Sequence, residues 1–595
     1  MATPNLPTAY TTDPHASAES VREELYAAAA CGDVKTVTRL IQDRRVTDHL
    51  DAPDARGVTL VTAAACGRDE IVHLLLQSGA DMEARLPGSE FTSLLAAATM
   101  GHEETVRLLL DAGAHVGARD VYGHSALALA STYGFSRVVK VLLEEGAYPN
   151  EENNFEKSPL HYACTGGHLG VVIVLIEAGA NREEKDGDGN TPLILATKAG
   201  KQEIVRIILT VGVDVENANY EGMKAVHYAA ATGNECILNL LILAGANLSS
   251  KCFEGNTPLH YAASHGHQVV LRQLLCARAG RDAKNNDGST PLHMAVLHGH
   301  VDIVNDIVTA GADIEAKDNR GITSLMAASR EGFLSIVRFL LFLGANVHKW
   351  DLEGHRALHH AAAGGDVNVV RVLLAAQASC LALSNTGCTA LHCAALAGNE
   401  AAGRVLVLDG ADPNAQNFTG ATPLHYACAG GHPQMVRDLL AAYGRLEERD
   451  VEGNTPLAVA CMKGHDDDVV GLLLERGADA NAPNIKGITP LHHAIKSKNA
   501  KTIHTLLQNS GVNIHIKDNN GRTPLMWAVL SGQLEIVHAL LLLGANILAL
   551  DNEGWNARHI ATHRGHNDIA LLLQRRQING LTFMVLPSST PARNG

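Results

Sequence analysis

A short string that returns at an interval of about 33 residues constrains this chain more than any other feature. "GNTPLHYAASHGH" at Gly255–His267 comes back as "GSTPLHMAVLHGH" at Gly288–His300, "GATPLHYACAGGH" at Gly420–His432 and "GNTPLAVACMKGH" at Gly453–His465. The glycine that closes the string keeps register from Gly32 to Gly565, and Lys498 takes its place once. About seventeen units result. A chain of 595 residues would otherwise suggest roughly three or four globular domains, but no linkers between such domains are visible.

Each unit reads as two helices and a protruding turn. Thr290 suits an N-cap, because its hydroxyl can accept from an orphan backbone N–H, and Pro291 suits the first helical position, where no donor is needed. The first helix is predicted to run to His298–His300, where Gly299 permits the turn, and a second follows through "VDIVNDIV" until Gly311 stops it. Ala312–Gly321 then carries extended and turn residues, which predict a hairpin. Helices of about nine residues do not persist alone in water, so each unit must bury its apolar face on its neighbours. An aromatic content of only 4% fits many small contacts better than one large core.

A net charge of -15 argues against phosphate binding, which needs clustered Lys and Arg to displace counterions, so no nucleic-acid partner is expected. The eleven cysteines contain no CxxC pair, and those in "YAC" (Cys164, Cys428) and "AAC" (Cys31, Cys66) sit where alanine would serve. They read as thiols of a reducing compartment, not as disulfides. The N-terminus has neither a secretory nor a transit pattern, and Arg338 interrupts the most apolar helical stretch, so membrane insertion is not expected. The cytoplasm is the expected location, with nuclear entry left open.

The TPLH box, the GH turn and the "LLL..GA" helix end together resemble the ankyrin repeat family over roughly residues 20–577. The resemblance implies an all-α solenoid of helix-turn-helix repeats with β-hairpin loops. Residues 20–57 and 555–577 are expected to cap it, since the first unit lacks the box and the last ends in polar Gln574, Arg575 and Arg576. Residues 1–19 are expected to be disordered, and 578–595 form a tail whose last part is disordered. Length changes at Ala80–Met100, Asp466–Asp468 and Gln508–Ser510 predict local irregularities, the aspartate run being a solvated helix start.

About half of the histidines fall in two repeat-fixed places. One is the box, as at His161, His227, His293, His359, His392, His425 and His492; the other is the turn, as at His102, His168, His267 and His432. The resemblance implies that they tie backbone groups of neighbouring turns together. Equivalent histidines lie about 10 Å apart from unit to unit, whereas one zinc ion needs nitrogens at about 2 Å, so no metal and no cofactor are expected. No P-loop, HExxH or GxSxG is present. Nor does the chain carry the DHHC motif and membrane spans of ankyrin-bearing palmitoyltransferases.

Partners of ankyrin stacks usually meet the concave side, so the resemblance places binding residues in the hairpin and turn slots that the repeat leaves free. Aromatics fill several: Tyr122, Tyr133, Phe155, Tyr220, Phe253, Trp350, Phe418 and Trp555. Exposed rings dominate interface hot spots, although each could simply lie over a neighbouring hairpin. Residues 350–430 differ from the rest. There the pairs before the turn glycine are Ala363–Gly364, Leu396–Ala397 and Ala429–Gly430, which predict a low apolar floor, walled by Arg330–Glu331 and Met462–Lys463. Trp350, His355, Leu383, Cys388 and Phe418 would form its rim. Small residues could instead merely allow tighter curvature between units. At the ends of second helices, Leu243, Leu343 and Leu543 are expected to be covered rather than to form a self-association face.

The sequence therefore points to a monomeric, non-catalytic scaffold or adaptor that binds one or more proteins through the groove. The alternative is a regulatory or substrate-targeting subunit of an enzyme complex, since long arrays of this kind resemble the ankyrin subunits of Ser/Thr phosphatases and the substrate receptors of ubiquitin ligases. Fold by itself does not name the partner.

Overall fold

The computed structural model describes residues 18–43, 50, 58–464 and 467–583. Most of the N-terminal segment, residues 44–57 apart from Leu50, the histidine and first aspartate of the run at 465–468, and the end of the tail lie outside the described residues. So does the disorder expected at either end.

The unit beginning at Thr422 shows why these residues form these elements. Thr422 has extended backbone (φ -95°, ψ 167°), Pro423 opens the helix Pro423–Gly430, and Gly431 leaves it in the left-handed region at φ 76°. Pro433–Ala441 follows. Asp450 then folds the hairpin by accepting from the N–H groups of Glu452 (3.0 Å) and Asn454 (2.8 Å), the local bond for which aspartate suits turns. Where the turn glycine is missing, Lys498 itself adopts φ 61°, a conformation that costs an L side chain about 1–2 kcal/mol.

Among the described residues, thirty-four helices make seventeen such pairs. The chain divides into two compact units, residues 1–286 with 305–310 and residues 287–304 with 311–595. In the first, N–H groups of Asn154, Gly187, Tyr220 and Phe253 donate to carbonyls of Tyr122, Phe155, Asp188 and Glu221, linking each hairpin to the one before. In the second, Leu352, Asn385, Phe418 and Val451 donate in the same way to Arg320, Glu353, Thr386 and Thr419. The hairpins are too short for strands; single antiparallel bridges such as Lys317 with Thr323 are what remains of β pairing.

Burial is divided unevenly between the helices of a pair. The first is almost wholly interior, as with Ala390, Leu391, His392, Ala394 and Ala395. The second buries one stripe, Val369, Val370 and Leu373 in Val367–Ala375, each worth about 1.5–3 kcal/mol when fully removed from water.

That stripe corrects one expectation. In Glu235–Leu243 it comprises Ile237, Leu238 and Leu241, so Leu243 lies off the packed face and is 85% exposed, not covered; Leu543 is also exposed, while Leu343 is half-buried. The array boundaries differ as well. The first helix begins at Ala18, inside the segment expected to be disordered, and the last runs on to Phe583 instead of ending near residue 577. Gln574, Arg575 and Arg576 face solvent.

Candidate functional site

Where a unit carries a box histidine, that residue organises the first helix and also ties it to the next unit. At His392, Nδ1 accepts from the Thr389 N–H (3.2 Å) with Thr389 Oγ1 at 2.9 Å, so the ring's proton is on Nε2, which donates to the carbonyl of Ala421 in the following hairpin (3.1 Å). His359 does the same from Arg356 N–H to Cys388 O, and His425 from Thr422 N–H to Asn454 O. Burial lowers His359 and His392 to about 4, which keeps them neutral, as this bonding requires. Turn histidines make the reverse link: His432 Nε2 bonds the Leu396 carbonyl one unit back (2.9 Å).

On the hairpin side of this scaffold, the turns 351–355 and 384–388 and the first helices behind them enclose a cavity of about 650 Å³. Its lining is mainly apolar. His355, Ala363, Cys388, Leu396 and Ala397 of the expected site come together here, with Leu352, Glu353, Asn385, Thr386, His392, Cys393 and Tyr426. Trp350, Gly364, Leu383, Phe418, Ala429 and Gly430 do not line it, nor do Arg330–Glu331 and Met462–Lys463. The cavity is thus shorter than the expected 350–430 trough.

The missing glycines have a packing reason. A Cβ on Gly364 would lie 2.1 Å from the Arg330 carbonyl oxygen, and one on Gly430 would lie 2.6 Å from that of Leu396. These two positions are small so that successive first helices can approach. Phe418 lies over Gly387, where a Cβ would meet its ring at 2.7 Å, yet the ring stays 69% exposed. Lys317 Nζ stands 5.7 Å from the centre of the half-exposed Trp350 ring.

The residue that creates the cavity is one sequence reasoning missed. The position after the box histidine holds Tyr162, Tyr228 and Tyr261 in other units, and Asn153 and Asn219 bond the first two phenols. In the unit of His392 it holds Cys393, whose small side chain leaves the ring's volume empty. On the next unit Tyr426 closes that space: its hydroxyl accepts from Asn417 Nδ2 (3.0 Å) and meets Cys388 Sγ at 3.2 Å, and its ring stands edge-on to His392 at 5.3 Å. Burial pushes the Cys393 thiol up to about 12, helped by the nearby Cys388, and burial likewise raises Tyr426. Both are therefore neutral at physiological pH.

One rim is charged. Asp351 is buried; burial pushes its carboxyl up, but His360 Nε2 (2.9 Å), the His355 N–H and the nearby imidazoles outweigh it and hold it below the usual value. Glu353, 3.3 Å from His355 Nδ1, remains 80% exposed at the cavity edge. Among the described residues, no three His, Cys, Asp or Glu side chains are grouped so as to hold a metal ion, and no helix is long and apolar enough to cross a membrane.

The first unit gathers the other expected aromatics into pairs. Tyr122 stacks on Phe155 at 6.4 Å and Tyr133 on Phe135 at 6.4 Å, while Tyr220 lies over Gly189 and Phe253 over Gly222. All five expected rings nonetheless remain more than half exposed. Trp555 departs from this group: it is half-buried, with its ring 4.8 Å from that of His563.

Paired short helices in register, histidine ties between units and hairpins on one side define a repeat protein built to present a surface. The family model for ankyrin repeats in three copies matches residues 85–153, 127–219, 160–251, 226–318, 325–417, 405–484 and 468–551, and that for the single ankyrin repeat matches 56–85. The chain belongs to the ankyrin repeat family, whose repeats are generally protein–protein interaction modules. No curated protein matches the sequence.

Proposed function

We propose that this chain is a non-catalytic cytoplasmic scaffold or adaptor, and that it holds a partner protein by docking an extended peptide or short amphipathic helix over the cavity between the hairpins at 351–355 and 384–388. The observation that carries the reading is the cavity itself: an open, mainly apolar space of about 650 Å³ on the hairpin side, floored by Ala363, Leu396 and Ala397. An apolar anchor side chain of a partner gains most from such a pocket, and pockets that accept aromatic or aliphatic anchors dominate binding energy. Neutral Cys393 and Tyr426 favour apolar contact over chemistry at the same place.

The test compares the proteins that co-purify with the full chain and with its Ala397→Trp variant. Ala397 is exposed, so the indole is accommodated in the cavity without disturbing the packed side of its helix. A partner that is retained by the first and lost from the second, with circular dichroism unchanged, supports the reading. Identical sets of partners would remove it.

A further inference from the structure

Along the hairpins runs a second ladder, made by long cations. The residue just before the hairpin aspartate, or its equivalent, reaches across to the backbone carbonyl of the corresponding residue in the next unit. In the first unit Arg85 donates to Arg119 O, Arg119 to Glu152 O, Lys185 to Ala218 O and Lys251 to Lys284 O. In the second, Lys317 donates to Trp350 O (2.6 Å), Arg449 to Pro483 O (2.6 Å) and Lys517 to Leu550 O (2.8 Å). The fold thus repeatedly uses a Lys or Arg side chain to satisfy these outward carbonyls.

The cation is absent singly at Glu152, Ala218 and Pro483, but here it is missing over three consecutive units. Trp350, Leu383 and Gln416 occupy its position, and Gln416 turns its amide to Glu448 instead. Among the described residues no side chain donates to the carbonyls of Leu383, Gln416 and Arg449. The gap coincides with the cavity, since Trp350 and Leu383 lie two residues from Leu352 and Asn385 in its lining. Glu353 adds an exposed carboxylate at the same edge, on a chain whose net charge is -15.

We infer that the partner supplies the missing cations: the segment that docks here is an extended peptide carrying Lys or Arg at about every third residue beside an apolar anchor, its cations taking the carbonyls of Leu383, Gln416 and Arg449. The spacing follows from geometry, because neighbouring units are about 10 Å apart and a peptide extended as polyproline II rises about 3.1 Å per residue and returns to the same side every third residue. Cation-to-carbonyl bonds of this kind are stronger than neutral ones, and the molecule's own ladder shows that a lysine stem and a guanidinium both fit. The apolar anchor enters the cavity, while the cations fix register and direction. This inference rests on the docking reading proposed above and specifies the chemistry of its occupant.

The experiment selects binders for the full chain from a displayed library of random peptides, and measures fluorescence anisotropy of the enriched peptides after synthesis. The expected peptides carry cations at intervals of three residues flanking an aliphatic or aromatic residue. Replacing two of those cations with glutamine should weaken binding about tenfold or more, as expected for charge-assisted hydrogen bonds. A Leu383→Lys plus Gln416→Lys variant restores the internal ladder; it should bind the cationic peptide about as weakly as the wild type binds its glutamine version, so that the preference disappears. The Ala397→Trp variant should bind neither. Peptides that are lost with Ala397→Trp but show no cation period, or that bind the ladder variant unchanged, overturn the inference and leave the docking reading standing. Peptides indifferent to Ala397→Trp, or a library without binders, overturn both.

Discussion

Mild acid should loosen the second unit through its buried imidazoles. His359, His392, His492 and His493 are all lowered by burial from the ordinary 6.5 to about 4. The folded value lies below the unfolded one, so between these limits the unfolded chain binds more protons; stability is complete above 6.5 and is lost as the pH falls towards 4. Each such group contributes a slope of about 1.4 kcal/mol per pH unit, and four together approach ~5 kcal/mol per unit near pH 5 when they open as a group. His493 adds a second weakness, since neither of its buried ring nitrogens has a hydrogen-bond partner among the described residues. Hydrogen exchange read by mass spectrometry, corrected for intrinsic rates, should show protection of Ala390–Ala397 and Pro490–Ser497 collapsing between pH 7 and 5 in the full chain. Replacing His392→Leu should cost about 1–3 kcal/mol at neutral pH, because the Ala421 carbonyl loses its donor, and should remove one proton from the slope. Equal protection of these two helices at pH 7 and 5 would refute the reasoning.

Three further outcomes follow from particular contacts. A Trp350→Ala plus Phe418→Ala variant should stay folded and lose about 2–4 kcal/mol of partner affinity on the hot-spot scale, read by titration calorimetry; unchanged affinity would move the site to Tyr122, Tyr133, Phe155, Tyr220 and Phe253. Gly364→Ala should cost about 1–3 kcal/mol, since the new methyl meets the Arg330 carbonyl at 2.1 Å and the helices must part. An unaltered urea midpoint for that variant would contradict the close approach. Lys498→Gly should raise stability by about 1 kcal/mol by relieving its left-handed backbone, visible as greater protection of Pro490–Ser497.

Much of the architecture was legible in the repeat. The N-cap, Pro and turn glycine are local backbone requirements, so "TPLH" and "GH" announce where helices start and stop before any tertiary contact is known. The histidine ties were legible too, because a polar residue recurring amid an apolar helix must find a partner wherever the unit recurs. Other features depend on which atoms meet across units. The same small-residue stripe that reads as a groove floor divides in the structure: Ala363, Leu396 and Ala397 face the cavity, whereas Gly364 and Gly430 are small because a neighbouring carbonyl lies against them. Leu243 is exposed because its angle about the helix axis differs from that of Leu241, a distinction a run of leucines conceals.

The sequence by itself determined the repeat and its helices, since periodicity and helix capping act within about 33 residues. Only the tertiary structure decided where space remains between units. The cavity lies where Cys393 stands in a slot that four other units fill with tyrosine, and the carbonyl ladder lapses beside it at Trp350, Leu383 and Gln416.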